Sequence, residues 1–280
     1  MYVSHFQPLQ LRGTIFLYNL IFDIIKGMDK MFETLTAKKL KLDTFRPLPK
    51  EVIQNLDEWY KVELTYTSNA IEGNTLSRQE TAMVVEKGIT VQGKTLKEHL
   101  EAINHAEALD FIKTLAAKKR EEITESDVNK IHWLILKGID DDNAGKYRKV
   151  QVKISGSDVE LPIAVKIPEL MENFCRWLKD KNSEHPVKIG ADVNFKLVSI
   201  HPFIDGNGRT ARLLMNLLLI QQGYPPAVIR KEDRQSYINA IEKGQKTGDL
   251  SDYYKIIVEA ADRSLDVYLK ILEPEKDQEA

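Results

Sequence analysis

Residues 201–212 read His201-Pro202-Phe203-Ile204-Asp205-Gly206-Asn207-Gly208-Arg209-Thr210-Ala211-Arg212, and an apolar helical pattern follows at once from Leu213 to Ile220. A loop feeding a helix N-terminus is the natural reading. Gly206 and Gly208 let the backbone turn its N–H groups one way, and the helix start adds unpaired donors and a positive dipole end. Such a nest binds phosphate. Arg209 and Arg212, three apart, can grip two phosphate groups of one ligand. Asp205 is a hard oxygen donor suited to the Mg²⁺ that accompanies a nucleotide. His201 stands just before the nest, where a base takes a proton from an attacking hydroxyl. The bland alternative is a capped helix with surface arginines and an ordinary loop histidine. It accounts for each element alone but not for all five in this order.

Composition narrows the classes. The chain has 280 residues, 42% hydrophobic and 29% charged, with a formal net charge of −2. That is enough for one large helical domain or two smaller ones. A balance so close to neutral lacks the basic field of a nucleic-acid binder, so no nucleic-acid partner is expected. The single cysteine, Cys175, cannot form an intramolecular disulfide and fits a reducing, cytoplasmic setting. It lies in an apolar run and reads as a core thiol. Thr14 to Ile25 is apolar but interrupted by Asn19 and Asp23, too short for a comfortable membrane span. It is either a peripheral anchor or docking segment, or a stretch before the real start at Met28 or Met31.

Hydrophobic periodicity predicts helices over Lys50–Ile71, Arg78–Lys87, Leu96–Lys119, 125–137, Pro168–Lys181, Pro186–Ile200, the run after the nest, Glu232–Lys243 and Asp249–Leu272. Ser77 with Glu80 forms a capping-box pattern, and Thr124 and Ser126 are candidate caps. The single strand signal is the alternating run Val150–Ile154, which turns at Ser155–Asp158 and returns through Val159–Pro162. The expected fold class is all-α with one short β-hairpin. His99, His105, His132 and His185 show no metal-like spacing and read as surface or packing residues; no His-Glu-x-x-His or Cys-x-x-Cys pattern points to zinc.

Ser68-Asn69-Ala70-Ile71-Glu72-Gly73-Asn74 closes the first long helix. Glu72 sits where the helix dipole disfavours negative charge. By its residues alone it is a solvated helix end, though a broken local rule marks a candidate for function.

The segment from His201 to Arg212 resembles the complete signature of Fic-domain proteins (Fic/DOC family), and the resemblance extends over roughly residues 49–269. It implies a Fic-type helical bundle that transfers AMP from ATP to a Ser, Thr or Tyr hydroxyl of a target protein, with His201 as base. Asp205, Gly206, Asn207, Gly208, Arg209, Thr210, Ala211 and Arg212 would then hold the nucleotide, with Asp205 on Mg²⁺. It divides the chain into an extension (1–43), a helical region with an inhibitory helix (44–122), a catalytic core (123–272) and a polar tail (273–280).

In the same resemblance Ser68, Glu72 and Gly73 match an inhibitory motif whose glutamate pairs with the second signature arginine, here Arg212. Some relatives also use this glutamate to position water for removing AMP. The 150–162 hairpin resembles a flap that holds the target as an added strand, with Ile154, Ser155, Gly156 and Ser157 nearest the nucleotide; the alternative is a plain connecting hairpin. Tyr237 matches a nucleoside-contacting tyrosine or is a core tyrosine. Gln245 falls where relatives carry asparagine for the adenine edge. Leu96, in Gly93-Lys94-Thr95-Leu96, resembles the apolar knob of a homodimer contact. Two rival functions remain: transfer of another nucleotide group, and an ATP-sensing protein held off by Glu72.

Overall fold

Leu213, Leu214, Met215, Leu217, Leu218 and Leu219 leave no polar face on the helix that follows the nest, and a helix apolar all round belongs at the centre of a fold. In the computed structural model, which describes residues 30–180 and 184–273, it takes that place. Ten helices are described: α1 (30–43), α2 (Lys50–Ile71), α3 (Arg78–Lys87), α4 (Leu96–Leu115), α5 (Glu125–Leu136), α6 (Ile167–Lys179), α7 (Pro186–Ile200), α8 (Asn207–Gln221), α9 (Arg234–Thr247) and α10 (Ser251–Leu272). α8 packs most extensively on α7 and also meets α2, α4 and α5.

Two apolar clusters divide the faces of α8 between them. Leu213, Leu214, Leu217 and Leu218 join residues of α2, α4, α5, α6 and α7. Met215 and Leu219 face the other way, toward α1, α9, α10 and the 224–229 segment. The split is the helical period at work, since residues four apart share a face. Full burial of each such leucine is worth about 2–3 kcal/mol, which makes α8 a rigid platform for whatever its N-terminus carries.

The helix starts follow local chemistry. Ser77 with Glu80, Thr95 with Glu98 and Thr124 with Asp127 each form a reciprocal capping box. Pro186 occupies the first turn of α7, where its missing N–H costs nothing. Of the expected extension at 1–43, residues 30–43 are helix, with Leu35 and Leu42 fully buried. The Thr14–Ile25 stretch and residues 274–280 of the tail lie outside the described residues. No helix among the described residues is long and apolar enough to cross a membrane.

The expected hairpin is corrected. No strand forms among the described residues, and 150–162 is an extended loop with a turn at Ser155-Gly156. Ser157 N–H closes that turn on Ile154 O (3.2 Å), with Gly156 at φ +78°. The two arms are joined through side chains: Gln151 Nε2 donates to Leu161 O (3.2 Å), and Arg148 donates to Val150 O and Pro162 O. Alternation signals a strand only where a neighbour supplies the ladder, and Pro162 removes one of the donors a ladder would need.

Candidate functional site

α7 ends at Ile200 and α8 begins at Asn207, so residues 201–206 form a tight bridge between the two most closely packed helices. His201 caps α7 in the left-handed region (φ 51°, ψ 58°), the one non-glycine residue with positive φ among those described. Gly206 follows at φ +76° as the N-cap of α8. A Cβ on Gly206 would meet the His132 ring at 3.2 Å, so the loop backbone lies directly against that ring.

Three side chains hold the bridge in shape. Asn207 spends both ends of its amide on Phe203, accepting from its N–H (3.0 Å) and donating to its carbonyl (2.9 Å). Phe203 is fully buried and stacks on His132, with centroids 3.6 Å apart and planes within 3°. His132 accepts from Gly145 N–H at Nδ1 (2.9 Å), so its proton is on Nε2, which donates to Asp205 O (2.9 Å). Burial holds the His132 pKa down at about 4, in the neutral form this bonding requires. The expectation that His132 is ordinary packing is therefore corrected: it shapes the nest. Its sequence neighbourhood carries no sign of this, because both partners come from distant loops.

The nest itself is anion-ready. The α8 ladder begins with Thr210 N–H to Gly206 O (3.0 Å), leaving the preceding donors at the helix start without a place in the ladder. Gly208 is the one residue of the first turn that is not buried. Asp205 Oδ1 accepts from Gly206 N–H (2.6 Å), and its side chain is 53% exposed. That half-open carboxylate fits Mg²⁺ that arrives with a nucleotide, since such ions take one or two carboxylates and fill their shell with phosphates and water. Among the described residues no group of three His, Cys, Asp or Glu forms a metal cage.

Glu72 lies over this helix start. Its Oε1 accepts from Arg212 Nη2 at 2.7 Å, and a Cβ built on Gly208 would stand only 2.3 Å from it. Ser68 completes the clamp, its hydroxyl accepting from Arg212 Nε (3.0 Å) and its carbonyl from Nη2 (2.9 Å). The end of α2 is itself fastened from both sides. Asn69 and Asn74 donate to the Glu101 and Glu98 carbonyls of α4, and Arg234 donates to Ile71 O (2.6 Å). The misplaced charge at the α2 C-terminus thus finds the N-terminus of α8 and a guanidinium. Gly73, at φ +98°, turns the chain away immediately afterwards.

Other expected site residues fall differently. Arg209 is buried to 2% exposure with Glu101 at 3.2 Å and Asp205 at 3.4 Å, so both signature arginines face carboxylates here. Thr210 and Ala211 have fully buried side chains; on a helix they follow the half-buried Gly208 onto the inward faces, so their side chains are packing. Tyr237 is a core residue, 2% exposed, with its hydroxyl donated to Asn194 Oδ1 (2.8 Å). From the same helix, Gln245 reaches Ser199 Oγ (3.2 Å). The Glu242 carboxyl is lowered first by Lys246 and then, more weakly, by Ser157 and the Asp158 backbone, so the loop tip lies near α9.

Electrostatics set the protonation states. His201 is lowered from the ordinary histidine value, first by burial and then by Arg148, against the Val198 carbonyl, Glu72 and Asp205. A base that is neutral at pH 7 is the result. His105, fully buried beside Arg212 and Arg209, is lowered to about 3 by burial and by both arginines.

The Fic/DOC family profile matches residues 122–219. Proteins called protein adenylyltransferase Fic are similar over 88% of this chain: 36% identical in Aedes aegypti, covering 49% of that protein, and 39% identical in Nematostella vectensis, covering 57%. The chain spans about half the length of the curated relatives it matches. Among solved structures, Fic-1 (residues 134–508) of C. elegans superposes with a TM-score of 0.83 at 28% identity, over 95% of this chain and 79% of that one. A Fic-domain-containing signaling protein of Bacteroides thetaiotaomicron gives 0.75 at 28% identity, over 86% and 97%.

Because His105 and His132 are held neutral below the ordinary value of about 6.5, the unfolded chain binds more protons than the folded one as pH falls. Stability is complete above about pH 6.5 and declines below it, toward the folded values of about 3 and 4. Urea midpoints between pH 7.5 and 4.5 should fall, and a His105→Gln variant should lose part of that slope. A flat profile in the parent would contradict the assigned protonation states.

Proposed function

The chain belongs to the Fic/DOC family through the domain at residues 122–219, and on that premise we propose that it is an autoinhibited protein adenylyltransferase. The observation that carries this reading is the Glu72 carboxylate on Gly208 and Arg212, one loop away from His201. An internal anion occupies the helix start that would otherwise receive a phosphate.

In the proposed reaction a target Ser, Thr or Tyr hydroxyl gives its proton to the His201 imidazole as its oxygen attacks the α-phosphorus of ATP. The new bond is oxygen to α-phosphorus, and the bond that breaks joins the α-phosphorus to the bridging oxygen, which leaves with its electron pair on pyrophosphate. Amides at the start of α8 stabilise charge on the phosphates, with Arg209 and Arg212 once their carboxylates yield. Mg²⁺ bound with the nucleotide would be held by Asp205 and would neutralise phosphate charge. While Glu72 holds Arg212, the guanidinium cannot also grip a terminal phosphate, and ATP is not aligned for in-line attack.

The target is proposed to lie along the extended 150–162 loop, beside the active site, with its modified side chain toward His201. Because that loop carries no ladder, its open backbone groups are free to pair with a target strand. A homodimer is proposed through Leu96, which is 75% exposed at the start of α4, with Ile89 48% exposed beside the link that precedes it. Isolated exposed leucines are common, so the mass in solution decides: Leu96→Asp should convert a dimer to a monomer, and an unchanged mass would remove the proposal.

Incubation with α-labelled ATP tests the enzyme. Glu72→Gly should label itself or lysate proteins about 10²-fold faster than the parent, the scale of a lost alignment. Adding His201→Ala should remove about 10²- to 10⁴-fold of that rate, while equilibrium ATP binding persists. No labelling by either protein, with ATP still bound, would favour an ATP sensor. Labelling from UTP in preference to ATP would favour another nucleotide.

A further inference from the structure

Arg148 is 2% exposed, yet it is an arginine in the short segment between α5 and the 150–162 loop. Its guanidinium bonds all end on backbone carbonyls: Nε to His201 O (2.8 Å), Nη1 to Val150 O (3.0 Å) and Nη2 to Pro162 O (2.6 Å). Its own N–H donates to Pro202 O (2.9 Å). One residue therefore ties two consecutive carbonyls of the catalytic loop to both arms of the loop proposed to hold the target. The first of those carbonyls belongs to a histidine in the left-handed region, an unfavourable conformation that lasts only when its surroundings over-determine it. A planar fork with fixed donor directions can do so, whereas a lysine ammonium in the same place can reach one or two of the carbonyls without fixing their directions.

We propose that Arg148 is a positioning residue for the reaction, setting the backbone of His201 and the base of the 150–162 loop as one unit. Base and docking edge then keep a constant separation whatever the state of Glu72. The inference rests on the transferase reading above. It also explains why an arginine is buried here at all: no hydrophobic side chain could satisfy three carbonyls drawn from three stretches of chain, and leaving them bare would be costly.

The charged groups facing His201 are Arg148, Glu72 and Asp205. In the Glu72→Gly background, Arg148→Lys keeps the positive charge and loses the fork, and Arg148→Met loses both. Both variants should label about 10²-fold more slowly than the Glu72→Gly parent, with the loss in turnover and not in ATP affinity. The acid limb of the pH–rate profile should move upward for Arg148→Met, because the cation that opposes the imidazolium is gone and only burial still does, and stay in place for Arg148→Lys. Amide hydrogen exchange across 151–161 should quicken in both. Lysine guards against a folding failure of the methionine variant, and a thermal melt confirms it. Turnover within about twofold of the parent, or unaltered exchange in the folded lysine variant, would overturn the proposal. If the Glu72→Gly parent labels nothing, the transferase reading fails, and exchange alone still decides whether Arg148 holds the loop.

Discussion

A buried guanidinium needs acceptors, and a helix N-terminus attracts an anion. The Glu72–Arg212 contact meets both demands at one point in space. Its strength follows from its exposure. Arg212 is 6% exposed but Glu72 is 36% exposed, so the pair lies between a solvated ion pair, worth about 1 kcal/mol or less, and a buried one whose breaking costs about 3–5 kcal/mol. Ser68 offers Arg212 two further acceptors, which would keep the guanidinium satisfied if Glu72 left. A contact of that intermediate strength holds the resting state and can still be displaced by a ligand carrying several negative charges. On the proposed reading, an inhibitor built from a fully buried pair would be a lock, and this one has the energetics of a switch.

The same logic runs through the 201–206 loop. His201 is held in an unfavourable backbone region between a helix end and a helix start. Nothing in its own local preference keeps it there. Asn207 closes the loop on Phe203, His132 pins the Asp205 carbonyl, and Arg148 pins the His201 and Pro202 carbonyls. The packing of α7 on α8 fixes both ends of the bridge.

Much of this was legible in the chain because the informative residues are contiguous. The order His201, Asp205, Gly206, Gly208, Arg209, Arg212 is a local code, and the apolar run after it states its own burial. Glu72 was legible as an oddity at a helix end, and the family resemblance supplied its partner; the 2.7 Å contact bears out that pairing. What stayed hidden depends on long-range partners. Arg148 and His132 look like any arginine and histidine until loops from elsewhere close on them. Tyr237 reads from the sequence as either a nucleoside contact or a core residue, and the turn of α9 buries it. Thr210 and Ala211 belong to the signature by position, while helical period turns their side chains inward. The alternation at 150–154 described a strand that no neighbouring backbone completes.

A structure of the Glu72→Gly protein with a non-hydrolysable ATP analogue tests the central claim most directly. The account predicts that the terminal phosphate takes the place of the missing carboxylate, bonded by Arg212 and resting over Gly208, with the α-phosphorus open to a hydroxyl on the His201 side. An analogue bound elsewhere, or Arg212 still turned to Ser68 with no phosphate on it, would contradict the account.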